Sequence, residues 1–323
     1  MGKSTISRSI IYTISKFSNW TAVDIEAFFR SKNLYADKPA WSTFIRLSLL
    51  SLGVTFTVYG LVLFFAFNWE KLHKFAKFGL LQALLVLLVV GSLFWKTSDR
   101  NKGILLTGAS MLVGILFAVF GQVYQTGANA YDFFLGWTIF IAVWVFIANF
   151  PPLWLLFLTL LNITVFYYSE QLRPEWLPHT TIAILFIINI FTFILLKVLN
   201  NKVHIPVLPK WLERLLILVS ISYLTISLSK IAMYSPNSGY ETILLGIISY
   251  PVGIYYGLQN RDTFYIATLG LSVIMISTCF LIDNLKIDDI SLFFLIGLFI
   301  VGSITALVFV IRSLNKTWHE DLS

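Results

Sequence analysis

The sequence predicts an all-α fold, a polytopic bundle of about ten transmembrane helices with a short amphipathic helical region at its N-terminus. The chain is 58% hydrophobic and 12% charged, with a mean hydropathy of +0.82, whereas a soluble globular protein is about half apolar and about a quarter charged. Charge is also excluded from long blocks, since only Asp132 and Glu170 are charged between Gly103 and Leu172. Such blocks are typical of membrane spans, because an ionised side chain at the bilayer centre costs several kcal/mol.

The N-terminal region, residues 1–40, is polar and basic and is expected to be cytoplasmic and helical. Apolar residues recur there at helical spacing, at Ile6, Ile10, Ile14 and Phe17. This spacing predicts an amphipathic helix over Ser4–Phe17. Thr21 and Asp24 are spaced as in a capping box, which predicts the start of a second short helix. We favour a hairpin covering the ends of the spans, with a docking module or a membrane-surface helix as the alternative.

Ten apolar segments follow, each near the length of about 20 residues that crosses a bilayer. We expect spans at Leu47–Phe67, Phe78–Trp95, Ile104–Phe120, Phe133–Phe150, Pro151–Tyr168, Thr180–Val198, Leu215–Ile231, Thr242–Leu258, Thr263–Ile282 and Leu292–Ile311. Pro151 and Pro152 separate the fourth span from the fifth, because proline disfavours continuation of a helix, and they predict a tight helical hairpin. We divide the spans into two groups of five, in residues 41–170 and 171–323.

The distribution of positive charge predicts the orientation of the chain. Most of the 23 Lys and Arg residues fall before the first span or in alternate connections. Because positive residues favour the cytoplasmic side, this bias places both termini in the cytoplasm. Lys71, Lys74 and Lys77 run against the bias. The net charge of +7 therefore reflects topology, and no nucleic-acid partner is expected. The one cysteine, Cys279, excludes an intrachain disulfide.

The segment from Gly103 to Asp132 joins the third span to a polar run. Small residues and an amide fall four positions apart on one face of this helix, at Ser110, Gly114, Ala118 and Gln122. A row of small residues lets another helix approach closely. The row is expected to bring Gln122, Tyr124 and Gln125 to the outer boundary of the membrane.

Two motifs resemble those of a known family. The first is Ala66-Phe67-Asn68-Trp69-Glu70-Lys71, with Lys77 opening the next span, and the second is Gly121-Gln122-Val123-Tyr124-Gln125-Thr126-Gly127-Ala128. They resemble DUF2157, a family of bacterial membrane proteins of unknown function. In that family a short helical region precedes a span ending in Ala-x-Asn-Trp, and a later span carries Gly-Gln-x-Tyr. The resemblance covers roughly residues 10–170 and implies a multi-pass protein of the bacterial inner membrane, without an activity.

Residue types within the spans limit the possible chemistry. Ion-coupled carriers place ionisable residues within their spans, and the cores of the ten predicted spans hold none. Their polar groups are neutral, at Gln82, Thr107, Asn162 and Asn189. We expect such groups to hydrogen-bond between helices. A water-filled cavity lined by Gln82, Asn162 and Asn189 would instead indicate a carrier or channel for a small neutral or amphipathic solute.

No catalytic residue, cofactor or metal ion is expected. The four histidines fall in predicted connections or the tail without zinc-type spacing, and no serine lies in a G-x-S-x-G turn. Asp283, Asp288 and Asp289 cluster in the last outer connection. We interpret them as a solvated acidic loop, and a divalent-cation site with oxygen ligands is the alternative.

The best candidate site is an outer-side cluster of polar residues. Its members are Asn68, Trp69, Lys77, Gln122, Tyr124 and Gln125. Amides, a phenol and an ammonium suit a lipid headgroup, a glycan or the backbone of an envelope protein. We therefore interpret the chain as a binding or accessory protein with membrane lipids as its general partner. The alternative is that Asn68 and Gln122 cap helix ends, that Trp69 anchors the membrane interface, and that the segment Gly121–Gln125 serves only in helix capping.

Overall fold

The fold is all-α throughout the part of the chain that the computed structural model describes. These residues are 20–21, 23–24, 26, 28, 38–68, 72–94, 98–174, 176, 178–203, 209–234, 239–285 and 288–320. They form α-helices and no β-strand. The chain divides into two units, Met1–Leu63 and Phe64–Ser323, and each is considered by itself.

Ten long helices account for most of the described residues. They are α1 (Lys38–Asn68), α2 (Lys74–Phe94), α3 (Asp99–Tyr124), α4 (Ala130–Ala148), α5 (Pro151–Leu172), α6 (Pro178–Val203), α7 (Lys210–Tyr234), α8 (Tyr240–Gln259), α9 (Thr263–Asn284) and α10 (Asp289–Glu320). Each is long and apolar enough to cross a membrane. The prediction of a ten-helix membrane bundle is confirmed.

Several helices extend past the apolar segments that predicted them. Helix α7 begins at Lys210, ahead of the predicted start at Leu215, and α10 continues to Glu320, beyond the predicted end at Ile311. Hydropathy marks only the part of a helix that suits hydrocarbon. Backbone hydrogen bonding continues the helix into polar sequence for as long as no residue interrupts it.

In the first unit, the predicted capping box is present. The Thr21 backbone N–H donates to Asp24 Oδ2 at 2.8 Å, and the Asp24 N–H donates to Thr21 Oγ1 at 3.3 Å. The hydrogen bonds from Thr21 lower the pKa of the exposed Asp24 carboxyl, because they stabilise its charged form. The predicted helix over Ser4–Phe17 lies outside the described residues.

In the second unit, consecutive helices pack against one another along the chain. Helix α3 contacts α2, α4 and α5, while α7 contacts α6, α8 and α9. The buried core runs through both groups of helices, from Ile141 and Leu153 to Leu196, Leu216 and Leu269. This continuous apolar core holds the second unit together.

The predicted hairpin at the two prolines is present between α4 and α5. Asn149 adopts a left-handed conformation with φ 46°, and its N–H caps α4 by donating to Val145 O at 3.1 Å. Helix α5 starts at Pro151, where a missing N–H costs no hydrogen bond. The ring of Phe150 packs onto Gly103, at the place that a Cβ would otherwise occupy.

The small-residue row on α3 divides into two parts. Ser110 and Gly114 are buried. The Trp137 indole of α4 lies over Gly114, and its Nε1–H donates to Ser110 O at 2.7 Å. Ala118 and Gln122 are exposed. The close helix approach that the row predicts therefore occurs at its first two positions, and the row does not bury Gln122.

Candidate functional site

The structure places the outer-side polar residues in different environments. Lys77 is buried in the first turn of α2, whereas Gln122 and Gln125 are exposed near the end of α3. Asn68 is the last residue of α1, and Trp69 lies outside the described residues.

The connection from α3 to α4 uses its polar residues to end one helix and begin the next. Gln125 has φ 45° and caps α3, with its N–H on Gly121 O. Asn129 precedes α4, and its N–H donates to Asp132 Oδ2 at 3.3 Å. These contacts fit helix capping, which was the alternative to ligand binding for Gln125.

Tyr124 has a different role, because its ring joins α3 to α2. It stacks on Phe78 with ring centroids 6.0 Å apart and contacts Phe120 at 4.8 Å. Phe78 and Phe120 also meet edge to face at 6.4 Å. These three rings, which we call the ring ladder, hold the start of α2 against the end of α3. Tyr124 forms the open edge of the ring ladder, because it is 52% exposed.

Below this ring ladder, helices α2, α3 and α4 enclose a groove with a volume of about 560 Å³. We call it the α2–α4 groove, and its lining includes Phe78, Gln82, Phe117, Phe120, Tyr124 and Phe140. Apart from Gln82 and the polar tips of Tyr124 and Trp144, the lining is apolar. Lys77 and Gln122 do not line it. The structure thus brings Tyr124 together with Gln82, a residue that the sequence had assigned to helix pairing.

The other two amides within the spans form a clasp between α5 and α6. Asn189 Nδ2 donates to Asn162 Oδ1 at 2.7 Å, and Tyr223 of α7 donates to the same oxygen at 3.3 Å. Asn189 is only 2% exposed. The predicted hydrogen bonding between helices is confirmed here. Gln82 lines the α2–α4 groove, and neither asparagine does.

A second polar cluster lies where α6 and α8 end and α7 and α9 begin. Glu213 accepts hydrogen bonds from the hydroxyls of Tyr265 at 2.6 Å and Tyr256 at 3.1 Å. Lys197 Nζ lies 3.5 Å from Glu213 Oε1 and 4.1 Å from the centroid of the Tyr256 ring. We call these four residues the Glu213 cluster.

The comparison with known proteins found one family that the first part of the chain resembles. Residues 21–154 match a family model described as "Predicted membrane protein (DUF2157)". The resemblance to DUF2157 is confirmed. No curated protein and no solved structure matches the chain. The DUF2157 match includes all residues of the α2–α4 groove and ends before the Glu213 cluster. Only the groove therefore lies in the part of the chain that resembles the family.

Sequence reasoning missed Glu213, which lies outside the DUF2157 match. The seventh span was expected to start at Leu215, so Glu213 was treated as part of a connection. A signal was available, because Lys197 and Glu213 flank the turn of one helical hairpin and carry opposite charges. Antiparallel neighbours joined by a short connection bring such flanking residues together.

The histidine and the aspartate that can be placed at helix starts take part in hydrogen bonds there. His179 lies in the first turn of α6 rather than in a connection, and its Nδ1 is 2.8 Å from Ser227 Oγ. Asp288 caps α10 by accepting from the Ser291 N–H at 2.9 Å, a bond that lowers the pKa of its carboxyl. The described part of the chain contains no group of three His, Cys, Asp or Glu residues suited to a metal ion.

Proposed function

We propose that this protein is a binding or accessory protein of the bacterial inner membrane, and that its α2–α4 groove holds a lipid. The single observation that carries the proposal is the lining of the groove. An apolar cleft of about 560 Å³ with two polar side chains, Gln82 and Tyr124, in its lining has the size and composition typical of a small-molecule site. A cleft in a membrane-spanning bundle is reached most readily by molecules dissolved in the bilayer.

The polar groups in the groove fit the region just below a lipid headgroup. Gln82 lies in the third turn of α2, about 12 Å along the helix from Lys74. Within the part of the chain that the structure describes, its amide forms no side-chain hydrogen bond. An unsatisfied amide is costly in hydrocarbon, so an ester carbonyl of a lipid would stabilise it. Tyr124, at the end of α3, would then reach the headgroup.

The proposed orientation follows from the distribution of positive charge, with both termini in the cytoplasm. The start of α2 and the end of α3 then lie on the outer side. In this orientation the polar end of the groove opens into the outer leaflet of the inner membrane. A glycan-bearing lipid or the lipid-exposed segment of an envelope protein would reach the same place.

Transport of a neutral or amphipathic solute is the second candidate that the sequence raised. The clasp between Asn162 and Asn189 favours binding over transport, because these amides satisfy each other. Helix-to-helix hydrogen bonds of this kind support a fixed bundle. Gln82 in the α2–α4 groove has no such partner among the described residues, and for that reason we propose the groove as the binding site.

The test is native mass spectrometry of the full chain extracted gently from its own membrane. The variant combines Gln82→Leu with Tyr124→Phe, which removes both polar groups and retains the ring ladder. Two hydrogen bonds contribute about 1 kcal/mol each, so occupancy by a discrete lipid mass should fall at least about tenfold.

Gln122→Ala is the matched control, because Gln122 is exposed near the same helix end but does not line the groove. It should retain the wild-type lipid mass. Equal occupancy in the double variant, equal loss in the control, or a wild-type protein without bound lipid would each contradict the proposal. A bound polypeptide in place of the lipid would move the function to a protein partner.

A further inference from the structure

A second cavity lies between α6, α7, α8 and α9, with a volume of about 530 Å³. Its walls are apolar over most of their length, with Phe193, Ile221 and Leu269 among them. Lys197 is the charged residue on the described lining, and with Tyr256 and Tyr265, its neighbours in the Glu213 cluster, it forms one end of the cavity. An apolar chamber with one cation at its end is the arrangement that an amphiphile with an anionic headgroup requires.

The hydroxyl groups deeper in the cavity are already used by the protein. Tyr250 lines the cavity, and its hydroxyl is hydrogen-bonded to Ser272, which also contacts Thr225 Oγ1. Ser249, another lining residue, bonds to the carbonyl of Leu245 in its own helix. A molecule in this part of the cavity therefore meets apolar surface, which suits a hydrocarbon chain.

The ammonium group of Lys197 retains capacity for an additional partner. Its contact with Glu213 is long at 3.5 Å, and its other neighbours are the rings of Tyr256 and Phe193, which accept no conventional hydrogen bond. An ammonium group carries three N–H donors. The Lys197 side chain is 32% exposed, so a ligand in the cavity can reach it.

Glu213 does not depend on Lys197 for its hydrogen bonds. Its carboxylate accepts from both Tyr265 and Tyr256 and does not line the cavity. An anion that binds Lys197 would therefore leave Glu213 satisfied by the two phenols. The Glu213 carboxylate acts as a counter-ion that holds Lys197 in place. Because the two phenols already donate to this carboxylate, Glu213 does not compete strongly with a ligand for the ammonium protons.

We propose that this cavity binds an anionic phospholipid, with its phosphate on Lys197 and one hydrocarbon chain along the wall formed by Phe193, Ile221 and Leu269. Lys197 lies close to the C-terminal end of α6, at the depth where a bundle meets the headgroups. Basic residues in pockets between membrane helices are suited to anionic headgroups. The site shares no residue with the α2–α4 groove and lies beyond the DUF2157 match, so it stands independently of the function proposed above.

The test compares binding of phosphatidylglycerol and phosphatidylcholine to the purified full chain, again by native mass spectrometry. The wild type should bind the anionic lipid more tightly. Lys197→Met retains the apolar stem and removes the charge. Because a hydrogen bond to a charged group is worth about 1.5–3 kcal/mol, affinity for phosphatidylglycerol should fall about 10- to 100-fold. Phosphatidylcholine binding should change much less.

Two further variants separate charge recognition from damage to the fold. Lys210→Met removes an exposed positive charge at the same end of the bundle, outside the cavity lining, and should leave the preference unchanged. Glu213→Gln removes the negative charge beside Lys197 and keeps an acceptor for Tyr265 and Tyr256, so phosphatidylglycerol binding should change much less than it does in Lys197→Met. Equal binding of the two lipids by the wild type, or equal effects of Lys197→Met and Lys210→Met, would overturn the proposal. Gln82→Leu with Tyr124→Phe should leave the preference intact, which keeps the two sites distinguishable.

Discussion

At the scale of single residues, the side-chain amides show how the same chemical group serves structure in one place and binding in another. Asn162 and Asn189 face each other across α5 and α6 and form a closed pair, with Tyr223 as a third partner. Gln82 instead faces the α2–α4 groove. The residue type predicts that each amide needs a partner in the membrane, but only the packing of the helices determines whether another helix provides it.

The clasp leads to a stability prediction. Asn189→Leu keeps the number and branching of the side-chain heavy atoms and removes both bonds to Asn162, the one from Asn189 Nδ2 at 2.7 Å and the one from Asn162 Nδ2 to Asn189 Oδ1 at 3.4 Å. Interhelical hydrogen bonds in membranes average about 0.6 kcal/mol and reach about 1.7 kcal/mol, so the unfolding free energy should fall by about 1 kcal/mol. Unfolding titration in detergent micelles measures this change. Thr159→Val is the control, because the exposed Thr159 bonds only to Leu155 O in its own helix. A variant as stable as the wild type would show that the clasp contributes nothing.

At the scale of helices, small residues determine which surfaces pack closely. Gly114 admits the Trp137 indole between α3 and α4, and Gly253 and Gly257 lie against α9. A Cβ at Gly253 would be 2.8 Å from a methyl carbon of Leu269. The sequence predicted close packing for the row that contains Gly114, and at all three glycines the packing occurs within the chain.

Gly114→Ala should destabilise the protein, although alanine is the better helix former. The added Cβ would be 2.5 Å from the Trp137 ring, and Trp137 also holds a hydrogen bond to Ser110. Overpacking costs about 1–3 kcal/mol, which exceeds the helix-propensity gain of about 1 kcal/mol. Gly79→Ala is the control, since an added Cβ there meets nothing within 4 Å. The melting temperature should fall for Gly114→Ala and stay level or rise for Gly79→Ala. The reverse order would contradict this packing.

The helices themselves could be predicted because hydropathy and proline act locally along the chain. The sites depended on contacts between helices and could be predicted only in part. Tyr124 was identified as a candidate from its motif, but the other polar side chain of the groove that it lines is Gln82 from α2. The position of Glu213 just outside the apolar segment concealed its role, because hydropathy gives no account of what a polar residue contacts at a helix end.

At the scale of the whole molecule, the alternation of spanning helices predicts that the two proposed sites lie at opposite ends of the second unit. Consecutive spanning helices alternate in direction, so the end of α3 and the end of α6 face opposite sides of a membrane. With both termini in the cytoplasm, Tyr124 would serve the outer leaflet and Lys197 the inner leaflet. An anionic-lipid site on the inner side agrees with the excess of anionic lipid that attracts basic groups to cytoplasmic leaflets.

This orientation is tested by labelling single cysteines in intact cells with a membrane-impermeant maleimide. Cys279 is first replaced by Ser, and cysteine is then placed at Thr126, in the connection from α3 to α4, or at Gln259, at the end of α8. Both positions are exposed. Thr126→Cys should react in intact cells, and Gln259→Cys should react only after lysis. The opposite pattern would invert the orientation and exchange the leaflets assigned to the two sites, whereas labelling of both positions in intact cells would contradict the alternation of the helices between them.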